Sequence, residues 1–305
     1  MPNQVQLEGA LPTLLALIFA PLLIGVINRT KALFGGRRGP PLLQPYYDII
    51  KLLQKGAVYS RTTTWVIWGG PIIQLAAVIT ATAMVPLGGI PPLLAFPGDI
   101  VLLTYVLSLA RFFTVMAALD TGSAFEGMGA SREVLFSALV EPAMLLSLAT
   151  IARETNNLSL VACEGTLWKH AGLELALVLV SMVVVILAEN SRIPIDDPNT
   201  HLELTMIHEV MVLDHSGVDL AYIEYGAAIK LWVFCLLVVG MSIPARTGYL
   251  AVDVAVDLAG MLIVGVLIGI VESTMARLRM PRVPQLLMGA AGLATLALAL
   301  VYYRG

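Results

Sequence analysis

Eight stretches of about twenty residues carry almost nothing but apolar side chains, and they limit the folds open to this chain more than any other feature. They fall at approximately 9–28, 64–86, 99–119, 133–152, 172–190, 218–243, 252–272 and 284–303. Twenty helical residues cover about 30 Å, the depth of a bilayer's hydrocarbon core. Backbone groups in lipid must be satisfied internally, which leaves helices or closed barrels. The runs do not alternate apolar with polar residues, so helices are expected and a barrel is excluded. Charged residues make up only 13% of the 305 positions, against about 25% in soluble domains. The expected fold is all-α, a polytopic transmembrane bundle of about eight spans, with residues 1–305 forming a single integral membrane domain. The net charge of −3 gives no reason to expect a nucleic-acid partner.

Lys and Arg set the orientation. The first loop holds Arg29, Lys31, Arg37, Arg38, Lys51, Lys55 and Arg61. Placing that loop in the cytoplasm puts Arg132, Arg192, Arg277, Arg279 and Arg282 there too. Only Arg153, Lys169, Arg246 and Arg304 fall on the other side. The bias predicts a multi-pass protein of the cell (inner) membrane with both termini non-cytoplasmic. The N-terminus, MPNQVQLEGALPTLL, lacks a positive n-region, so its apolar run is read as a retained first span.

Within the first loop, GGRRGPPLLQPYYDIIKLLQKG, Gly and Pro break regular structure up to Pro45. Beyond it Tyr46, Ile49, Ile50, Leu52 and Leu53 interleave with Asp48, Lys51 and Gln54. That spacing predicts a short amphipathic helix on the cytoplasmic membrane surface.

The chemistry-bearing segment is Ala188–Gly217, AENSRIPIDDPNTHLELTMIHEVMVLDHSG. It carries Glu189, Asp196, Asp197, Glu203, Glu209 and Asp214, three histidines, and a single basic residue, Arg192. His201, His208 and His215 recur every seven residues and would share one face if a helix ran continuously between Pro198 and Gly217. Such a stripe does not converge as metal ligands must, so proton exchange is the better reading and no metal site is expected. Cys163 and Cys235 are too few for an iron–sulfur cluster, which usually needs four thiolates, and read as ordinary thiols.

Ionisable groups also interrupt the spans. Glu133, Ser137 and Glu141 share a helix face, and Pro142 removes a backbone donor beside Glu141. Arg111, Asp120, Asp219, Glu224 and Lys230 lie in or at the edge of other runs, Lys230 requiring a carboxylate partner. Rows of such groups pass protons when each responds to its neighbours' charge. Glu174, Asp253, Asp257 and Glu272, near predicted span ends, read instead as local pairs or snorkelling groups. No phosphate loop or nucleophile elbow appears, which points to a non-catalytic part of a larger assembly.

GPPLLQPYYDIIKLLQK resembles the first-loop signature of the subunit 1 family of respiratory complex I, and AENSRIPIDDP followed by LEL resembles that family's AExNRxPFDLPExESEL segment. GSAFEGMGASREVLFSALVEPAMLL and AYIEYGAAIKLW are similar to further family stretches. Pro41 stands where the family has Asn, and its acidic cluster is thinned here to Pro198, Asn199, Thr200, His201, Leu202 and Glu203. THLELTMIHEVMVLDHSG is closer to the homologous membrane subunit of group 4 membrane-bound [NiFe]-hydrogenases of the formate hydrogenlyase type.

The resemblance implies a membrane-anchoring, energy-coupling subunit without an active-site metal or cofactor of its own. It implies partners in hydrogenase large and small subunits carrying the [NiFe] centre and Fe–S clusters on the cytoplasmic side, and in antiporter-like membrane subunits. Carried over residue by residue, Glu141, Glu189, Asp196, Glu203, Asp214 and Glu224 match the family's proton pathway and chamber loop. His208 and Glu209 belong to the hydrogenase-like variant, and Lys230 joins the same set. Arg37, Arg38, Gln44 and Asp48 would form the docking side of the first loop, with loops 29–63 and 190–217 making the docking face. Three alternatives compete: a quinone-chamber subunit of a complex I-type NADH:quinone oxidoreductase, a purely structural anchor, and a secondary transporter. The last expects two similar halves with broken helices, and no internal repeat is evident.

Overall fold

A computed structural model describes residues 2–166, 172–196, 206–243 and 247–304. Eight helices of 17 residues or more form the body: α1 (Pro2–Phe34), α3 (Val66–Thr82), α4 (Asp99–Asp120), α5 (Ala124–Thr155), α6 (Leu173–Glu189), α8 (Gly217–Ser242), α9 (Leu250–Thr274) and α10 (Val283–Arg304). Two short helices, α2 (Gln44–Leu53) and α7 (His208–Met211), lie in the connections. Six of the long helices are long and apolar enough to cross a membrane; α3 and α6, at 17 residues each, are shorter. No strand occurs among the described residues. The chain is an all-α, multi-pass membrane protein.

The expected spans are all present, and the largest boundary error is informative. Helix α5 begins at Ala124, nine residues before the apolar run. Its first turns carry Glu126 and Arg132, which are not lipid-facing. The Arg132 guanidinium donates to the Met206 carbonyl (2.9 Å), and the Asp214 amide donates to the Glu126 carboxylate (3.0 Å). Gly129 makes this approach possible: a Cβ there would lie 2.4 Å from Val210 Cγ1 and 3.0 Å from the Ile207 carbonyl.

Helices that cannot gain from a hydrophobic effect in lipid associate through close packing and hydrogen bonds. At the α1–α9 crossing Gly269 faces Thr30, where a Cβ would stand 2.7 Å from Thr30 Cβ. Within α1, Pro21 has no amide proton, so the Leu17 carbonyl loses its helical donor. The Tyr225 hydroxyl of α8 donates to that carbonyl (2.7 Å), and the Tyr46 hydroxyl of α2 donates to the next one, Ile18 (2.5 Å). The carbonyl freed by Pro21 thereby anchors α8 to α1.

Helix α2 contains no buried residue, and its Tyr46, Ile49 and Ile50 lie over α1 and α8. The continuous helix required for a histidine stripe is absent. Among residues 206–216, helix is confined to His208–Met211, and His215 sits in the following turn. Tertiary bonds hold this backbone, because Asp196 Oδ2 accepts from the amides of Ile207 (3.0 Å) and His208 (3.1 Å). His201 lies outside the described residues.

Candidate functional site

Four helix segments bring charge to one place. Arg111, nine residues from the end of α4, is 9% exposed and meets three carboxylates. Glu133 Oε1 lies 3.4 Å from its Nε, Glu141 Oε1 accepts from its Nη1 at 3.1 Å, and Glu189 Oε1 accepts from its Nη2. Lys230 of α8 reaches the other Glu189 oxygen at 2.9 Å. By helical rise, Arg111 lies about 14 Å below the α4 terminus. The α4 end, the α5 start, the α6 end and the α8 start converge on that side, together with residues 190–196 and 206–216. The expected common face of Glu133 and Glu141 is realised, with both meeting the same guanidinium.

Two cations facing three carboxylates leave one negative charge in excess within the cluster. Ionised groups at this depth are costly unless paired, and the pairing spans four helices. Exposure within it is uneven. The Glu189 side chain is 2% exposed, whereas that of Glu141 is 35% exposed and also accepts from Ser108 Oγ (2.8 Å).

Two cavities adjoin the cluster. The inner, about 60 Å³, is lined by Arg111, Glu133, Glu189 and Lys230 together with Gln74 and Thr114. The outer, about 280 Å³, lies between α1, α2, α7 and α8 and is lined by Asn28, Asp48, Glu209 and Glu224. Asn190, Ser191, Arg192 and His208 line both. Ser191, with φ 49°, takes the left-handed conformation that ends α6, and the Arg192 amide closes the turn on the Leu187 carbonyl (2.8 Å). The chain turned back in this way places Arg192 in the shared wall. An apolar groove of about 470 Å³ runs beneath α2 between Leu17, Tyr46, Tyr222 and Tyr225. Ile49 lines both this groove and the outer cavity.

Burial and the nearby Glu224 and Asp196 carboxylates push the Glu209 carboxyl up to about 7, Arg192 opposing them. Burial lowers His208 to about 4, helped by Lys230 and Arg192 and opposed by Asp196. His208 is therefore neutral near pH 7, while Glu209 exchanges its proton there.

The sequence-derived residues divide into groups. Glu141, Glu189 and Lys230 belong to the ion cluster; His208, Glu209 and Glu224 line the outer cavity with Asp48. Asp196 takes a structural part, pairing with Arg277 (2.9 Å) and accepting two amides. Asp214 is exposed beyond this centre, its amide on Glu126. Gln44 donates to Asp48 along α2 (2.8 Å), whereas Arg37 and Arg38 are exposed and apart from them. Glu203 lies outside the described residues. Arg111 and Glu133 stood among the ionisable groups of the spans, but their pairing, with Arg111 as the hub, was not read from the sequence, although an Arg within an apolar run demands counter-charge from neighbouring spans.

Glu174, Asp253 and Asp257 are local anchors, as their positions near span ends suggested. Glu174 pairs with Arg304, Asp253 accepts from Thr247, and Asp257 accepts the Gly88 amide at 2.6 Å. Cys163 and Cys235 are free and buried, and burial raises the Cys163 thiol to about 12. Among the described residues, no group of three or more His, Cys, Asp or Glu side chains is placed to hold a metal ion.

The fold and the site define a polytopic membrane protein with a cluster of ion pairs buried between its helices. The profile of the NADH dehydrogenase family, the complex I subunit 1 type, matches residues 9–303, and the chain belongs to that family. It is 32% identical to formate hydrogenlyase subunit 4 of Escherichia coli (strain K12) over 91% of this chain and 92% of the relative. It is 31% identical to hydrogenase-4 component C of the same organism, over 86% and 84% respectively. A chain of the membrane-bound sulfane sulfur reductase, an archaeal respiratory membrane complex, shares the fold with a TM-score of 0.81 at 21% identity, covering 98% of this chain and 99% of that one. The protein is a membrane subunit of the complex I-like kind.

Proposed function

We propose that this chain is the membrane-anchoring and energy-coupling subunit of a multisubunit, formate hydrogenlyase-like hydrogenase. It docks a peripheral arm bearing the [NiFe] centre and Fe–S clusters, and it relays redox change to proton or Na⁺ movement. The observation that carries this reading is the Arg111–Glu133–Glu141–Glu189–Lys230 cluster, which adjoins a cavity walled by Asn190, Ser191, Arg192 and His208. A charge change above that segment alters proton affinity at Glu209, and the relay passes the change to the cluster. Only two buried cysteines occur, so the clusters belong to partner subunits. The half-exposed Glu141 lies on α5 beside the outward Tyr105 and Phe112 of α4. A carboxylate facing lipid is costly, so this face meets an antiporter-like membrane subunit rather than acyl chains. Residues 29–63 and 190–217, with Arg37 and Arg38 exposed, face the cytoplasmic arm, and both termini lie on the opposite side.

Isolation in mild detergent with subunit identification and metal analysis tests the reading. It predicts nickel, iron and a hydrogenase-like large subunit in the complex. Recovery without any iron–sulfur partner contradicts it. A second reading, quinone binding, is favoured by the apolar groove that meets the polar outer cavity at Ile49. Loss of activity with quinone-site inhibitors supports that reading.

A further inference from the structure

Behind the ion cluster lies a second charge group to which the relay described above gives no role. Glu272, near the end of α9, has a side chain that is 0% exposed. Its Oε2 is 2.7 Å from Lys31 Nζ of α1, and its Oε1 accepts from Arg192 Nη1 at 3.4 Å. Here two cations face one carboxylate, the reverse of the neighbouring cluster's imbalance. The excess cation of one group balances the excess carboxylate of the other. Arg192 is where they meet, because it contacts Glu272 and also lines the cavity shared with Arg111, Glu133, Glu189 and Lys230.

We propose that Glu272 is a positioning residue that fixes Arg192 in the wall between the outer cavity and the ion cluster. Two facts require such a device. Arg192 is the only basic residue of 188–217, and its long side chain is held at the base by a turn whose left-handed residue, Ser191, is not a glycine. Without a carboxylate behind it, the guanidinium has acidic alternatives: Glu209 and Glu224 line the outer cavity, and Glu189 lines the inner one. Pairing with any of them removes an acceptor from the relay. Lys31 neutralises what remains of the Glu272 charge and ties the device to α1, whose end leads into the first loop. The arrangement holds one positive charge at the boundary while leaving the relay carboxylates free to exchange protons.

The inference rests on the proposed coupling function, and the test separates the two. The complete complex is reconstituted in liposomes, driven by a low-potential dye donor, and read for electron transfer and for H⁺ and Na⁺ movement. Glu272→Gln keeps the size but removes the charge; it is expected to leave assembly and electron transfer intact and to cut ions moved per electron about tenfold. Glu272→Asp keeps the carboxylate and is expected to recover more than half of the coupling. Arg192→Lys, which retains charge but loses the forked geometry, is expected to match Glu272→Gln and decides the matter if that variant fails to assemble. Wild-type coupling in Glu272→Gln, or in Arg192→Lys when the former does not assemble, overturns the positioning role. If Glu189→Gln is also fully coupled, the coupling function falls with it; if Glu189→Gln is uncoupled, only the inference falls.

Discussion

Glu189 receives both cations of the cluster with its side chain almost wholly buried, so its removal leaves Arg111 and Lys230 without their shared partner. Breaking a buried pair in this way costs about 3–5 kcal/mol, and Glu189→Ala is expected to lower the unfolding midpoint accordingly. Glu141→Ala, at a half-exposed position of the same cluster, is expected to cost well under half as much in the same thermal melts. The chamber residues titrate with opposite signs. Folding raises Glu209 from 4.5 to about 7, so the stability it contributes is full below 4.5 and is lost as pH rises through 7. Folding lowers His208 from 6.5 to about 4, so its contribution is full above 6.5 and is lost as pH falls through 4. The two windows overlap with opposite sign, so melting curves from pH 4 to 8 are expected to show stability rising between about 4 and 6.5 in Glu209→Gln and falling between about 4.5 and 7 in His208→Gln. An unchanged slope in either variant contradicts that assignment. At this scale the sequence revealed which residues were expensive but not which ones meet. Lys230 needed a carboxylate, yet its pairing with Glu189 joins helices some forty residues apart, and no periodicity encodes that.

Among the elements, the long helices were legible because lipid permits so few backbone solutions, and hydropathy located all eight of them, six long and apolar enough to cross a membrane. Their packing was not, since apolar content does not say which face meets which neighbour. The early start of α5 shows the difference: residues 124–132 mix Glu126, Ser131 and Arg132 with small and apolar residues, and Gly129 lets α7 pack against this turn. Gly129→Ala sets a methyl 2.4 Å from Val210 Cγ1 and is expected to destabilise by about 1–3 kcal/mol, while loosening 206–214 in hydrogen exchange. Tyr225→Phe strands the Leu17 carbonyl freed by Pro21 and is expected to cost about 1 kcal/mol in thermal unfolding. The seven-residue spacing of histidines aligns them only on a continuous helix between Pro198 and Gly217, and among residues 206–216 only His208–Met211 is helical. That backbone instead serves tertiary bonds to Asp196, Arg132 and Glu126.

Across the whole molecule, charge is arranged in depth. Exposed Arg37 and Arg38 sit on the first loop, acidic Asp48, Glu209 and Glu224 line the outer cavity, and the paired cluster lies beneath. Motif resemblance located the upper layers in the sequence. The cluster's hub came only from the fold, because Arg111 falls outside every motif. Loss of a carboxylate from this cluster is expected to uncouple redox change from ion movement. The direct measurement is the number of ions moved per electron by the reconstituted complex carrying Glu189→Gln. Electron transfer close to wild type with ion movement reduced at least tenfold is the predicted result. Ion movement equal to wild type, in an assembled and active complex, would contradict the account.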